Sequence, residues 1–200
     1  MSHYFTNDEN LASKPRSVVY TINGKTFELE SDIGVFSKNK LDYGSEVLIK
    51  SLLLENLEDT LLDLGSGIGP IGLTLAYFNP QLKVVCSDVN TRALSLCEKN
   101  ARAYELDNRI TCLRSDIYIE IEGKFQSIVS NPPIRAGKKV TYEIYNGAKE
   151  HLVDGGSLYI VIRKAQGALS VKDHLEELFG NVTVLERSKG YYVLKATKEN

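Results

Sequence analysis

The residues best suited to chemistry form a glycine-rich run that follows an apolar stretch. Asp63 stands two residues before Gly65, and further glycines follow at Gly67 and Gly69. Glycine lets the backbone turn sharply and approach a ligand closely, where any Cβ would collide. Residues 67–72 also spell G-x-G-x-x-G, the dinucleotide fingerprint. However, a carboxylate at position 63 can hold a cationic ammonium group and would repel a pyrophosphate, and the glycines begin directly at the end of the predicted strand. The run therefore favours S-adenosylmethionine over a dinucleotide.

Two further carboxylates follow the next predicted strands. Asp88 ends the second strand, where it can accept hydrogen bonds from both ribose hydroxyls of either cofactor. Asp116 comes just after the third strand and is placed to receive the adenine amino group. Ordinary loop capping is the less favoured alternative for each residue alone, and the two together with Asp63 predict a cofactor site.

A second chemical motif, Asn131-Pro132-Pro133, follows the fourth predicted strand. The prolines stiffen the backbone and remove two N–H donors, which leaves carbonyl oxygens pointing outward. The side-chain oxygen of Asn131 and the carbonyl of Pro132 can each accept an N–H of a planar amino group, so that its lone pair faces the methyl donor in line. A plain turn is the alternative, but the carboxyl end of a strand beside the glycine loop is where such sheets bind ligands. We therefore predict Asn131, Pro132 and Pro133 to be catalytic residues that align an amine without a covalent nucleophile.

The elements that must position these residues alternate between strand and helix from position 60 onward, which is typical of a parallel sheet covered on both faces. The predicted strands are residues 60–64, 82–87, 109–113, 125–130, 157–162, 182–186 and 191–196. One predicted helix follows the first strand and ends at residue 78, and the others span residues 91–104, 142–152 and 171–179. Asp154-Gly155-Gly156 is predicted to close the helix over 142–152. Only residues 187–190 join the last two strands, so the final strand must be antiparallel. The sequence predicts an α/β fold with a doubly wound, Rossmann-like, seven-stranded and mostly parallel sheet.

The N-terminal part has a different pattern. Asn23-Gly24 between two alternating runs, residues 18–22 and 26–29, is a strong β-hairpin signal, and a helix is predicted over 43–56. We expect residues 1–58 to form an extension of hairpin, loop and helix. It would pack on a catalytic domain over residues 59–200, as a single globular unit.

Composition sets wider limits. The chain has 200 residues, 42% of them hydrophobic and 25% charged, which suits one globular domain. We find neither an apolar run long enough to span a membrane nor a secretory signal, so a cytoplasmic location without membrane contact is expected. The spacing of Cys86, Cys97 and Cys112 favours small core residues over a disulfide framework or a metal site.

Several motifs share the pattern of one enzyme family. They are Gly34-Val35-Phe36-Ser37, Leu41-Asp42-Tyr43-Gly44-Ser45, Asp63-Leu64-Gly65-Ser66-Gly67-Ile68-Gly69, Asn131-Pro132-Pro133-Ile134-Arg135-Ala136-Gly137-Lys138 and Lys189-Gly190-Tyr191-Tyr192. With them the chain resembles the class I S-adenosylmethionine-dependent methyltransferases that modify amino nitrogens. More narrowly, it resembles the small-domain methyltransferases similar to bacterial 16S rRNA guanine-N2 methyltransferases. The resemblance runs from His3 almost to the C-terminus.

The resemblance implies a role for each predicted cofactor residue. Asp63 and Gly65 would contact the methionine end of S-adenosylmethionine, Asp88 the ribose and Asp116 the adenine, while Asn131 would bind the target amine. The complete predicted cofactor set, which adds two loop glycines and a pair near the cofactor, is Asp42, Ser45, Asp63, Gly65, Gly67, Gly69, Asp88, Asp116 and Asn131.

One position departs from the family pattern. Many amino methyltransferases place Tyr or Phe after the second proline, where the ring stacks on the target base, whereas this chain has Ile134. Ile134 offers contact area without an aromatic face. Either another ring stacks on the base, with Phe36 and Tyr4 as candidates, or the base is held mainly by its edge.

Basic residues collect in the loops that share an edge with Asn131. We call the following residues, which come after the fourth, fifth and sixth strands, the basic rim: Arg135, Lys138, Lys139, Arg163, Lys164, Arg187 and Lys189. The net charge of −2 and the pI of about 6.0 argue against a nonspecific nucleic-acid coat. A local rim can still contact phosphates, and a merely solvated surface is the alternative. The predicted substrate-binding residues are Phe36, Ile134, Arg135, Lys138, Lys139 and Lys189.

Together these features predict methyl transfer from S-adenosylmethionine to an exocyclic amino nitrogen, most specifically guanine N2 of small-subunit ribosomal RNA. The partner would be that RNA or the small ribosomal subunit, and no metal is expected. A paired guanine cannot present its N2 lone pair, so the target would be unpaired or flipped out. Two alternatives stay open: N-methylation of a protein glutamine amide, which uses a similar Asn-Pro-Pro cradle, and a non-catalytic or NAD-dependent nucleotide-binding module.

Overall fold

The computed structural model describes residues 13–32, 35, 40–134 and 137–199, so Tyr4, Phe36 and Arg135 lie outside the described residues. The strands are β1 (Arg16–Ile22), β2 (Lys25–Ser31), β3 (Thr60–Leu64), β4 (Lys83–Asp88), β5 (Ile110–Arg114), β6 (Phe125–Ser130), β7 (Leu152–Arg163), β8 (Thr183–Ser188) and β9 (Tyr191–Thr197). The helices are α1 (Tyr43–Leu52), α2 (Pro70–Phe78), α3 (Thr91–Ala103), α4 (Lys138–His151) and α5 (Ala168–Phe179), and a 3-10 turn covers Lys164–Gln166.

The central sheet has the strand order β5-β4-β3-β6-β7-β9-β8. Neighbouring strands from β5 to β7 are parallel, whereas β9 is antiparallel to both β7 and β8. The predicted doubly wound α/β fold with one reversed final strand is therefore confirmed. Because β3 lies between β4 and β6, the order of connection changes direction there, which opens a crevice at the carboxyl ends of these strands.

Successive side chains of a strand point to opposite faces of the sheet, and each face has its own apolar core. On β3, Leu61 belongs to the cluster that also contains residues of α1, α2 and α3, and Leu62 belongs to the cluster that contains residues of α4 and α5. Both leucines are fully buried. This period of two is the strand pattern expected for a sheet covered on both faces.

The predicted hairpin is confirmed and packs on the α2–α3 side. Asn23 and Gly24 both have positive φ, 46° and 79°, as a two-residue hairpin turn requires. The Tyr20 hydroxyl lies 2.8 Å from Thr74 Oγ1 on α2, and the side-chain oxygen of Asn100 on α3 accepts a bond from Glu30 N at 2.7 Å. The hairpin residues share one apolar cluster with the sheet. A domain boundary between residues 58 and 59 stays a prediction.

Several element boundaries were predicted incorrectly; the helix expected from 171, for example, begins at Ala168. The helix expected over 43–56 ends at Leu52, and the helix expected from 142 begins at Lys138, directly after Gly137, whose φ of 100° ends the preceding turn. Lys138 and Lys139 therefore lie in the first helical turn and not in a loop. Residues 154–156, expected to close that helix, lie inside β7, where the register against β6 is irregular. Such a bulge accommodates the glycines that the sequence presented as a helix stop.

The three cysteines converge although their spacing in the sequence is wide. Cys86 faces Cys112 in register across β4 and β5, and Cys97 on α3 reaches the same cluster. All three are free thiols; Cys86 and Cys97 are buried, as predicted, while Cys112 is partly exposed. The hydrogen bond with Cys97, together with burial, raises the pKa of the Cys112 thiol. Such thiols pack as small apolar groups and are poor nucleophiles.

Within the part of the chain that the structure describes, no helix is long and apolar enough to cross a bilayer. The same residues contain no group of three or more His, Cys, Asp or Glu side chains that could hold a metal ion.

Candidate active site

The glycine loop connects β3 with α2 at the mouth of the crevice. Gly65, Gly67 and Gly69 all have positive φ, between 56° and 89°. The backbone N–H groups of Gly65 and Ser66 donate to Ser87 O at 2.8 and 2.9 Å, which ties the loop to the end of β4. At Gly65 and Gly67 a Cβ would meet nothing within 4 Å. The loop therefore presents open backbone to a ligand, in a conformation that other residues rarely adopt.

Asp63 lies beneath this loop. The side chain is only 1% exposed, and one carboxylate oxygen accepts the backbone N–H of Gly72 at 2.9 Å. Its other oxygen, Oδ1, has no hydrogen-bond partner among the described residues. Burial raises the pKa of Asp63 to about 7. A buried carboxylate oxygen without a partner suits a cationic ligand group, as predicted for the methionine end of the cofactor.

Asp88 connects the glycine loop with the turn after β4. Its Oδ2 accepts the N–H of Gly67 at 2.8 Å and its Oδ1 accepts that of Asn90 at 2.9 Å. Burial raises the pKa of Asp88. Since each carboxylate oxygen has a second lone pair, ribose hydroxyls can still donate to this side chain. The predicted adenine partner, Asp116, is exposed and follows Ser115, whose N–H donates to Asp88 O at 3.2 Å.

Asn131 stands at the carboxyl end of β6, next to the start of α1. Its side-chain nitrogen donates to Asp42 Oδ1 at 3.1 Å and to Ser45 Oγ at 3.0 Å. Asp42 is also the N-cap of α1: its carboxylate accepts the N–H of Ser45 at 3.1 Å and the Ser45 hydroxyl at 2.6 Å. A carboxylate only accepts hydrogen bonds, so the amide must present its NH₂ group to Asp42. The side-chain oxygen of Asn131 is thereby left for another donor.

The two prolines that follow place further carbonyl groups at this point. Pro132 is buried, and its carbonyl accepts the N–H of Ile134 at 2.8 Å, so one of its two lone pairs is already used. Ile134 is half-buried and packs against the core cluster on the α4 side. Ile134 thus belongs in part to the core, although it follows the proline motif directly in the sequence.

The described basic-rim residues differ in their contacts. Lys138 and Lys139 are exposed, and Lys139 forms a 3.9 Å ion pair with Glu143 one turn along α4. Three other rim residues place their cations over tyrosine rings: Lys189 over Tyr43, Arg163 over Tyr191 and Arg187 over Tyr192. These tyrosines were not predicted as site residues, although Tyr43, Tyr191 and Tyr192 belong to the motifs that carry the resemblance.

The structure thus gathers most of the predicted site residues around one crevice. Asp63, Asp88 and the glycine loop meet between β3 and β4, and Asn131 lies at the end of β6, which pairs with β3. Asp42 and Ser45, which were predicted to lie near the cofactor, both contact Asn131, and their contact with the cofactor stays a prediction. The local signal for Asp42 is its N-cap position, but no local signal indicates its contact with a residue 89 positions away.

Proteins of similar sequence indicate the family to which this chain belongs. Residues 26–195 match the family model described as methyltransferase small domain. The chain is 41% identical over 198 residues to YbxB, an uncharacterized protein of Bacillus subtilis (strain 168), and the match covers 98% of both chains. It is 38% identical over 164 residues to the ribosomal RNA small subunit methyltransferase C of Mannheimia succiniciproducens, a match that covers 80% of this chain and 47% of that protein.

Solved structures agree with this grouping. The T. thermophilus 16S rRNA N2 methyltransferase RsmC, in complex with AdoMet and guanosine, aligns with a TM-score of 0.81 at 29% identity, over 94% of this chain and 52% of that chain. A methyltransferase from Pyrococcus furiosus shares the fold, with a TM-score of 0.67 at 20% identity. The chain spans about half the length of the ribosomal RNA methyltransferases that it matches. With the family model covering most of its length, the chain belongs to the methyltransferase small domain family.

Proposed function

We propose that this methyltransferase transfers a methyl group to the exocyclic N2 of an unpaired guanine in small-subunit ribosomal RNA. The observation that carries the proposal is the side-chain oxygen of Asn131, which Asp42 and Ser45 hold available at the carboxyl end of β6. A planar amino group needs such an acceptor to align its lone pair with the methyl donor.

The methyl donor is S-adenosylmethionine, which supplies an electrophilic methyl group on a sulfonium when bound. The unpartnered buried oxygen of Asp63 and the open backbone at Gly65 and Gly67 fit its methionine end. The free lone pairs of Asp88 fit its ribose, and Asp116, which we assign to the adenine, directly follows Ser115, whose N–H donates to Asp88 O. A relative at 29% identity binds AdoMet in the same fold.

The residues of the chain act by alignment. The side-chain oxygen of Asn131 accepts one N–H of the amine, and the second lone pair of the Pro132 carbonyl can accept the other. The Asp42 carboxylate accepts a hydrogen bond from the side-chain nitrogen of Asn131, which polarises the amide and strengthens its oxygen as an acceptor. With the backbone at Pro132 buried, the acceptor geometry is fixed before the amine arrives.

Support for ribosomal RNA comes from two sources. Relatives at 38% and 29% identity are named as small-subunit ribosomal RNA methyltransferases, and the second is in complex with guanosine. The basic rim offers phosphate contacts on the edge that holds Asn131. N-methylation of a protein glutamine is the second candidate, because a primary amide would meet the same acceptors.

The test is methyl transfer by the purified protein from tritiated S-adenosylmethionine to naked small-subunit rRNA, assembled small subunits and a glutamine-containing peptide. Mass spectrometry of the product nucleosides should show N2-methylguanosine in the RNA from one of the first two reactions. Label only in the peptide glutamine would replace this proposal with the second candidate.

A further inference from the structure

A pair of tyrosines near Asp42, the partner of Asn131, has no part in the mechanism above. Tyr43 is the first residue of α1, Tyr191 is the first residue of β9, and their rings meet edge to face with centroids 5.6 Å apart. A Cβ added at Gly44 would lie 2.9 Å from Tyr191 Cε1 and 3.1 Å from Asp42 Oδ1. Only the space of a glycine therefore separates the Tyr191 ring from the carboxylate that holds Asn131.

Each of these rings carries a cation of the basic rim. Lys189 Nζ lies 4.7 Å from the centroid of Tyr43, and the guanidinium carbon of Arg163 lies 4.8 Å from the centroid of Tyr191. Both cationic residues are exposed, and both tyrosines are partly buried. The Tyr43 hydroxyl is hydrogen-bonded to Ser188 Oγ at 2.7 Å, which fixes that ring. We call Tyr43, Tyr191, Arg163 and Lys189 the tyrosine platform.

We propose that the tyrosine platform binds the nucleotide that adjoins the target guanine, with its base stacked on Tyr191 and its phosphates contacted by Arg163 and Lys189. This inference rests on the proposed function, because it needs an RNA substrate whose guanine reaches Asn131. Aromatic rings interleaved with cations are the chemistry that recognises unpaired nucleotides.

The binding of RNA to the platform would replace a cation–ring contact by a base–ring contact, and this replacement is favourable. An exposed cation over a ring is a weak interaction, whereas a nucleobase stacks on the same ring more strongly. The displaced guanidinium of Arg163 and the ammonium of Lys189 then meet phosphates, which release their counterions. The platform also provides an aromatic face, which Ile134 lacks, on the opposite side of the sheet from the core cluster that Ile134 packs against.

Tyr192 provides a matched control. It follows Tyr191 directly in β9, is partly buried as well, and carries the guanidinium of Arg187 at 5.1 Å from its centroid. Because successive side chains of a strand point to opposite faces, Tyr192 packs with the cluster on the α4–α5 side and Tyr191 with the one on the α1 side. Both positions thus have a tyrosine ring in β9 with a cation over it, but they lie on opposite faces of the sheet, and Tyr191 is the one on the side of Gly44 and Asp42.

The first experiment measures binding and steady-state methylation of a single-stranded RNA of about ten nucleotides with one central guanine. Tyr191→Leu should weaken RNA binding about tenfold, about 1.4 kcal/mol, and raise KM with little change in kcat. Tyr191→Phe and Tyr192→Leu should bind as the unmodified protein does, and all variants should keep their affinity for S-adenosylhomocysteine. Unchanged RNA affinity in Tyr191→Leu, an equal loss in Tyr192→Leu, or a loss confined to kcat would each overturn the platform.

A second measurement uses the lack of tryptophan in the sequence. Tyr191→Trp introduces one fluorophore, whose emission the RNA should quench by stacking, whereas Tyr192→Trp should keep its emission. Equal responses of the two variants would contradict the proposal. Its failure is distinguishable from that of the proposed function: if the unmodified protein methylates guanine in RNA while Tyr191→Leu behaves identically, only the platform is wrong. If the unmodified protein neither binds nor methylates ribosomal RNA, whether naked or assembled in small subunits, both are wrong.

Discussion

The side-chain nitrogen of Asn131 lies 3.1 Å from Asp42 Oδ1, across 89 residues of chain. The same carboxylate caps α1 through the backbone N–H of Ser45. One acidic side chain therefore ties the start of α1 to the end of β6, and it also decides which end of the Asn131 amide faces outward. In the proposed mechanism Asp42 is a positioning residue, whose effect on the reaction passes through Asn131.

Replacing Asp42 with Asn should lower kcat by about tenfold to a hundredfold while cofactor affinity changes little. Asn remains a good helix N-cap, but it presents an NH₂ group as well as an oxygen, so Asn131 loses its single preferred orientation and the amine its alignment. Steady-state kinetics and calorimetry with S-adenosylhomocysteine measure the two quantities. Glu46→Gln, one turn along α1, is the control and should keep the original kcat. An unchanged kcat in Asp42→Asn would show that Asn131 does not need this partner.

Asn131→Ala should leave cofactor affinity nearly intact and lower kcat by a hundredfold or more, because its oxygen is assigned to the amine in the transition state. The double variant Asp42→Asn/Asn131→Ala should turn over no more slowly than Asn131→Ala alone, since Asp42 acts through the amide that is gone. Additive losses in the double-mutant cycle would mean that Asp42 has a separate function.

Local sequence signals were sufficient for the sheet and for the glycine loop. The strand over residues 60–64 follows from the apolar side chains of its own residues, and the turn after it follows from glycines that lack a Cβ; the structure reproduces both. The contact of Asn131 with Asp42 and the approach of Tyr191 to Gly44 depend on which loops the sheet brings to one edge. No property of the separate segments specifies those distances. The start of α4 was predicted incorrectly because Lys138 and Lys139 were interpreted by their charge alone, as loop residues of the basic rim.

Asp88→Ala should weaken S-adenosylmethionine binding by at least about tenfold, or 1.4 kcal/mol. The variant removes the acceptor predicted for the ribose, and it also frees the N–H of Gly67 that Asp88 holds in the glycine loop. Isothermal titration gives the affinity directly. Asp107→Ala, an exposed aspartate at the opposite edge of the sheet, should bind as the unmodified protein does. A folded Asp88→Ala protein with full affinity would remove Asp88 from the site.

The ligand-free protein should lose stability as pH rises from about 4 towards 7, in part through Asp63. Burial raises the pKa of this carboxyl from the ordinary 3.8 to about 7, so in this range the folded protein binds a proton that the unfolded chain has released. The free energy of unfolding then falls with rising pH, by an amount on the order of a few kcal/mol, and levels off above the folded-state pKa. Urea unfolding at about pH 5 and about pH 8 should show this slope, and Asp63→Asn should flatten it. Equal slopes in both proteins would place the titration elsewhere.

The affinity for RNA should depend on the charges of the basic rim that lie nearest the proline motif. Lys138 and Lys139 are exposed in the first turn of α4, directly after the segment that begins with Asn131. Their joint replacement by Ala should weaken RNA binding and flatten the log–log salt dependence by up to about 0.7 to 0.9 per lost phosphate contact. Lys83 and Lys124 provide a matched control, because both are exposed and both stand at the amino ends of strands, on the opposite edge of the sheet. Lys83→Ala/Lys124→Ala removes the same net charge and should leave the salt slope unchanged. Fluorescence anisotropy of labelled RNA at several salt concentrations gives both slopes, and equal losses in the two double variants would assign the effect to total charge and not to the rim.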